Sequence, residues 1–182
     1  EEEAINAFKM ATRAAMRINL LKLELPLWEQ KKNDSPTIGV SFTGYFDMVD
    51  ACNFDKDKQK ELLRAFRKAV RDEAKAFAKE LNIKVPDLCT TIKPEGTLSQ
   101  LPTVSSGIHR SHDKFFVRRI RISSDDPLVN AAKKMNIPVL PEVGQDFETA
   151  STLVLEFPVK STATKFKKDV SAIEQLETYK MV

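Results

Sequence analysis

The segment with the most chemical content is residues 88–100, LCTTIKPEGTLSQ. It opens on a short β-branched apolar run at 88–92, which predicts a strand. Lys93, Pro94, Glu95 and Gly96 then break regular structure. Thr97–Leu101 has the composition of a short helix start, so Gly96–Ser99 is expected at a helix N-terminus with free amides facing a cleft. Such amides favour an anion, and a glycine lets a ligand approach the backbone closely. Thr97 and Ser99 add neutral hydroxyl donors, and Lys93 adds charge. The chemistry on offer is phosphate binding without an arginine. The same residues also read as a plain helix cap, with the Thr97 hydroxyl satisfying its own backbone.

Three further groups carry polar chemistry. Residues 102–112, PTVSSGIHRSH, read as a loop in which His109 either contacts a ligand or bonds to nearby backbone, while His112 reads as a surface residue. Residues 115–122, FFVRRIRI, read as a strand with Arg119 and Arg121 on one face and Arg118 on the other. Their arginines are expected in salt bridges, the competing reading being a basic, aromatic nucleic-acid surface. Cys52 and Cys89 form no CxxC pair and are expected to be reduced. No metal-ligand spacing occurs.

These residues need a scaffold, and the chain has one. Periodic apolar positions predict a helix over residues 4–21, limited by Pro26, and a second over 57–81 with Leu62, Phe66, Ala69, Val70, Phe77 and Leu81 on one face. Residues 31–36 read as a polar turn and 37–42 (TIGVSF) as a short strand. Asp125, Asp126 and Pro127 start a helix over 128–135, residues 137–141 connect, and 152–159 (TLVLEFPV) form a strand. Lys165–Lys168 is a charge cluster. Ser171 and Glu174 have capping-box spacing for a last helix over 171–181. The order of elements says α/β. The 29 basic and 26 acidic side chains nearly cancel, so composition makes no case for nucleic acid or a membrane surface. No apolar run is long enough to span a bilayer, and the acidic start, Glu1 to Glu3, is the wrong charge for a targeting signal. A cytoplasmic protein is the simplest reading.

The run KPEGTLSQ at 93–100, then SGIH at 106–109, then FVRRIR at 116–121, resembles adenosylcobalamin-dependent ribonucleotide reductases, most closely the monomeric ribonucleoside-triphosphate reductases. TIGVSFTG at 37–44, DDPLV at 125–129 and SAIEQLETY at 171–179 agree in order, so the resemblance spans nearly the whole chain. It implies that residues 1–182 are a single segment, the C-terminal part of a ten-stranded α/β barrel of the ribonucleotide reductase type. It implies a parent reaction that reduces ribonucleoside triphosphates to deoxyribonucleotides, with adenosylcobalamin starting the radical and a thioredoxin-like reductant closing the cycle. Glu95, Gly96, Thr97, Leu98 and Ser99 would hold the substrate phosphates, through the amides of residues 96–98 and the hydroxyls of Thr97 and Ser99. Ser106, Gly107, Ile108 and His109 would form a loop facing substrate or cofactor.

Two departures from the family qualify the assignment. Many relatives carry Ser where this chain has Glu95, and a carboxylate beside a phosphate is unfavourable unless it points away. The radical cysteine of the family, in an Asn-x-Cys-x-Glu context, is absent: Cys52 sits in DACNF and Cys89 in LCTTI. No catalytic residue is therefore assigned here. The expectation is a fragment that carries a phosphate site, needs the missing N-terminal part of the barrel, and does not turn over alone. The rival reading is a non-catalytic nucleotide- or nucleic-acid-binding module.

Overall fold

The computed structural model describes residues 1–182. Helix α1 (Glu2–Asn19) turns Phe8, Thr12, Ala15 and Met16 inward, and Thr12 and Met16 are fully buried. Helix α2 (Pro26–Asp34) follows where a polar turn was expected. Pro26 starts this helix as its first residue, a position that tolerates a missing amide hydrogen. None of its residues is buried, so no hydrophobic periodicity marked it in the sequence. Strand β1 (Thr37–Val40) leads to α3 (Tyr45–Cys52), a helix that the sequence reading missed.

Helix α4 (Lys56–Leu81) is the longest element. Asp55 caps it by accepting the Lys58 amide at 2.8 Å, and Asn82 ends it in the left-handed region. Its buried stripe Leu62, Leu63, Phe66, Ala69, Val70, Ala74, Phe77 and Ala78 carries the apolar spacing read from sequence. Strand β2 (Leu88–Thr90) then pairs with β1 in parallel. Together β1, α4 and β2 make one strand–helix–strand crossover, the unit that a parallel pair requires. The main core lies between α1, α4 and this sheet, with Met16, Ile38, Val40, Val70, Ala74, Phe77 and Ala78 in contact.

The two long C-terminal strands do not join that parallel sheet. Strands β3 (Phe115–Ser123) and β5 (Thr152–Lys160) pair antiparallel along their full length, from Phe115 opposite Lys160 to Ser123 opposite Thr152. The connection expected at 137–141 holds a short strand, β4 (Val139–Pro141), on the other edge of β5. Helix α5 (Pro127–Lys134), capped by Asp126, packs Val129 against Leu153 and Ala150. Helix α6 (Ala172–Met181) ends the chain; Ser171 accepts the Glu174 amide at 3.2 Å. The reciprocal half of that capping box is not made, because Glu174 pairs with Lys165 at 2.7 Å instead. Cys52 and Cys89 are both free thiols. No helix is long and apolar enough to cross a membrane.

Phe77 is fully buried in the main core. Phe77→Ala removes a ring from a packed site and is expected to cost about 3–5 kcal/mol. Urea unfolding followed by circular dichroism measures it, with the midpoint falling and the slope unchanged.

Candidate functional site

In a parallel pair both strands deliver their following loops to the same edge, and ligands of α/β sheets bind outside that carboxyl edge. Here the loops are residues 41–44 after β1 and 91–101 after β2. They touch: the Lys93 amide donates to Ser41 Oγ at 3.2 Å. The 91–101 loop ends in a single 3-10 turn, Leu98–Gln100. The expected helix is thus one turn, too short for a dipole argument. What it leaves is three amides, those of Gly96, Thr97 and Leu98, with no acceptor in the chain, whereas the Ser99 amide donates to Glu95 O at 3.0 Å. Gly96, Thr97 and Leu98 are solvent-exposed.

The side chains divide differently from the sequence reading. Thr97 Oγ1 makes no hydrogen bond in the chain, so the self-capping alternative is not what forms. Ser99, by contrast, is fully buried, and its hydroxyl bonds Gly96 O and Ser106 Oγ, each at 3.1 Å. Its donor is spent on fastening the loop, which corrects the expectation that it faces a ligand. A second correction concerns strain. The residue in the left-handed region is Glu95, at φ 49°, and a Cβ on Gly96 would meet nothing within 4 Å. Gly96 therefore contributes open space for an approaching ligand, and the turn is made by Glu95.

The second loop, residues 102–112, is docked on the start of α3. Thr43 Oγ1 donates to Ser105 O and accepts from the Gly107 amide, each at 3.0 Å. The amides of Gly44 and Tyr45 donate to Ser105 O and Gly107 O. Asp47 accepts both the amide (2.9 Å) and the hydroxyl of Ser105. Gly107 lies at φ +51°, and a Cβ there would fall 2.5 Å from the Lys93 carbonyl oxygen, so only glycine lets the two loops approach this closely. Beneath them, burial pushes the Tyr45 phenol up to about 12, keeping it a donor to Gln59 Oε1 at 2.8 Å.

The strongest tie is Asp50 with Arg110, whose side chains are only 7% and 9% exposed. Arg110 Nη1 meets both Asp50 oxygens at 3.2 Å, and its guanidinium lies 3.9 Å from the Phe46 ring centre. Asp50 also accepts the amides of Thr164 (2.8 Å) and Lys165 (3.3 Å). Burial pushes the Asp50 carboxyl up, but the Thr164 amide and the Arg110 guanidinium outweigh it and hold the group below its usual value.

Of the second predicted group, Ser106 faces Ser99, Gly107 and Ile108 are buried, and His109 is exposed. Its Nδ1 lies 3.2 Å from Ser106 O, and the ring lines a cleft of about 610 Å³ between residues 103–112, the mouth of β3–β5 and the start of α6. The reading of His109 as bonded to nearby backbone is the one the hydrogen bond shows. His112 is exposed on the same cleft. Arg119 pairs with Glu156 at 2.7 Å and Arg121 with Glu142, so the strand's outer arginines are salt-bridged. Sequence reasoning missed Thr43, Asp47, Asp50 and Arg110. The available signal was Gly44 followed by apolar Phe46 and Val49 at helical spacing, with the two aspartates on the same turns.

No protein-family model matches the chain. Over 91% of its length it is 29% identical to the adenosylcobalamin-dependent ribonucleoside-triphosphate reductase of Lactobacillus acidophilus, covering 25% of that protein. A putative reductase of the same name from Mycobacterium phage D29 is 28% identical over 94% of the chain and 27% of its own length. The Levilactobacillus brevis protein of that name is 34% identical over 64% of the chain. A solved B12-dependent (class II) ribonucleotide reductase superposes with a TM-score of 0.83 at 21% identity, over 97% of this chain and 28% of the other. The fold is that of part of that reductase, and the resemblance read from residues 37–44, 93–121 and 171–179 is borne out as similarity. The chain spans about a quarter of the length of the curated relatives it matches.

The Asp50–Arg110 pair generates a prediction. Asp50→Asn leaves a buried guanidinium without its counter-charge and is expected to cost about 3–5 kcal/mol. Because the folded-state value lies below the unfolded one of about 3.9, the stabilisation is complete above that pH and is lost as pH falls through the folded value. Stability curves between pH 7 and pH 2 should show this acid limb in the wild type and a shallower one in Asp50→Asn.

Proposed function

We propose that residues 1–182 act as one continuous segment, the C-terminal part of a ribonucleotide reductase catalytic barrel, and hold the substrate phosphates in the loop after β2. The observation that carries this is the set of unpartnered, exposed amides of Gly96, Thr97 and Leu98 at the carboxyl edge of a parallel strand pair. Three successive unpartnered N–H groups suit an anion, and the Thr97 hydroxyl adds a fourth donor. Glu95 and the buried Ser99 shape the loop rather than touch the ligand. The substrate class is ribonucleoside triphosphates, after the relatives' names.

The reaction needs groups that this segment does not supply. Burial pushes the Cys89 thiol up, which disfavours the thiolate, and Cys52 is exposed at the end of α3. Neither lies in the phosphate loop. Adenosylcobalamin, when bound to the whole enzyme, supplies the radical. Of this chain's residues, His109 and the hydroxyl-lined cleft beside it fit the polar periphery of such a cofactor, and their part is to bind and orient it. The rest of the barrel is the required partner: β1 and β2 pair only with each other, so each presents an open edge for a further strand. A thioredoxin-like reductant and a cytoplasmic location complete the proposal. The outer arginines of β3 are committed to Glu156 and Glu142, which speaks against the nucleic-acid reading.

The test is nucleotide affinity of the assembled barrel, this chain with the remaining part of the enzyme, by calorimetry. Thr97→Val keeps the shape and removes one donor to a charged group, so ribonucleoside triphosphate binding should weaken by about 1–3 kcal/mol. Unchanged affinity, in a variant that still assembles, refutes the assignment of this loop to the phosphates.

A further inference from the structure

Helix α4 has two unlike flanks. One carries Glu73 and Glu80, and both meet Arg13 of α1, at 2.5 and 3.3 Å. About half a turn round the helix lie Arg64, Arg67, Arg71 and Lys75, at spacings of three, four and four, which set them in one row. All four are exposed. The ion pairs on the rest of α4 use Lys56, Lys58, Lys60 and Lys68 and leave these four out. Asp72, which lies between them in sequence, is taken by Lys68. Lys180 of α6 lengthens the row. It shares a groove of about 500 Å³ with Arg64 and Arg67, and the one acidic side chain on that groove, Glu177, faces Lys56 at 4.0 Å. Like charges three and four residues apart disfavour a helix, so the row contributes nothing to this chain's own fold.

The sheet shows where the row points. Met16 of α1, Phe77 of α4 and Ile38 and Val40 of β1 share one core, so both helices cover the same face of the β1–β2 pair. Helix α1 lies against β1, and α4 reaches β2. The basic flank is turned away from α1, on the β2 side: Arg71 and Lys75 lie close enough to Cys89 of β2 for their charge to act on its thiol. Strand β2 is open there, since it pairs only with β1. A further parallel strand at that edge comes with a crossover, usually a helix, and the face it extends needs cover next to α4. An apolar helix laid there would strip water from the row and leave its charges unpaired, which is costly. A basic one would add repulsion. An acidic flank answers the row, as Glu73 and Glu80 answer Arg13 on the other side.

We propose that the row Arg64, Arg67, Arg71 and Lys75 docks a helix of the partner that extends the sheet at β2, and that this helix carries carboxylates at three- and four-residue spacing. The inference rests on the reading of this chain as one part of a larger barrel, and adds the chemistry of the contact. Charges of this kind act chiefly on the rate of association and on its salt dependence.

The test is the association rate of this chain with the remaining part of the enzyme, measured at low and at high salt. The wild type should associate about tenfold faster or more at low salt. The triple variant Arg64→Gln, Arg67→Gln, Arg71→Gln should lose most of that difference, and the corresponding Arg→Glu variant should be slower still at low salt. Gln and Glu are helix formers close to Arg and the sites are exposed, so thermal unfolding of both variants should match the wild type. Carbodiimide coupling, which joins an ammonium to a carboxylate in contact with it, should link Lys75 to an acidic residue of the partner, read by peptide mass spectrometry. Association that is indifferent to salt and unchanged in both variants overturns the inference and leaves the barrel reading standing. No association of the wild type removes both. If a single-stranded oligonucleotide binds the chain with a steep salt slope that the Gln variant abolishes, the row is a nucleic-acid surface and the acidic helix falls.

Discussion

One carboxylate organises the functional end of the molecule. Asp50 sits on α3 and collects the Arg110 guanidinium and the amides of Thr164 and Lys165. These partners lie 60 and 114 or more residues away in sequence, so one buried group joins α3, the 102–112 loop and the return from β5 to α6. Burying two charges costs several kcal/mol per ion, and a good pair barely recovers it. The pair's contribution is therefore positional. The multiple bonds fix where three segments meet, and the cleft wall and the Gly107 approach to Lys93 both follow from that junction.

Legibility in the sequence tracked hydrophobic period. The α1 and α4 stripes, the β3 alternation and the caps at Asp126 and Ser171 were all readable, because each is a local pattern with a local cause. Helix α2 buries nothing and so carried no pattern. Helix α3 is eight residues behind a left-handed Gly44, shorter than a periodicity window resolves. The separation of β3 and β5 into their own antiparallel sheet could not be read from strands alone, since pairing partners are set by tertiary contact. The same holds for Arg110: only folding shows that it, and not the adjacent histidine, is buried against Asp50.

The loop after β2 was legible as a break in regular structure but not in its detail. Hydroxyl residues next to a glycine read as donors, yet the direction of each hydroxyl depends on what packs beneath. Ser99 turns inward because Ser106 offers it a partner, and Thr97 stays outward because nothing does. Glu95 takes the left-handed turn at a non-glycine position, which costs of order 1 kcal/mol. That conformation lets Glu95 O accept the Ser99 amide and close the turn, leaving the three amides between them unpaired. What the loop leaves free is thus mainly backbone.

The sheet of β3, β4 and β5 shows the same logic at a distance. Its outward face is charge-paired, Arg119 with Glu156 and Arg121 with Glu142. Its inward face carries Phe116, Ile120 and Ile122, with Leu153 and Leu155 on β5 buried. Arg118 breaks this face, a cation at a position whose neighbours two residues either side are apolar. It has no carboxylate partner, only the Phe116 ring, 5.7 Å from its guanidinium. The opposite face is mixed as well, since Phe115 and Val117 share the side of Arg119 and Arg121 and are exposed. Arg118 also borders the cleft beside His109. The two faces thus hold charge differently, by ion pairs with Glu156 and Glu142 on one and by an arginine over an aromatic ring on the other.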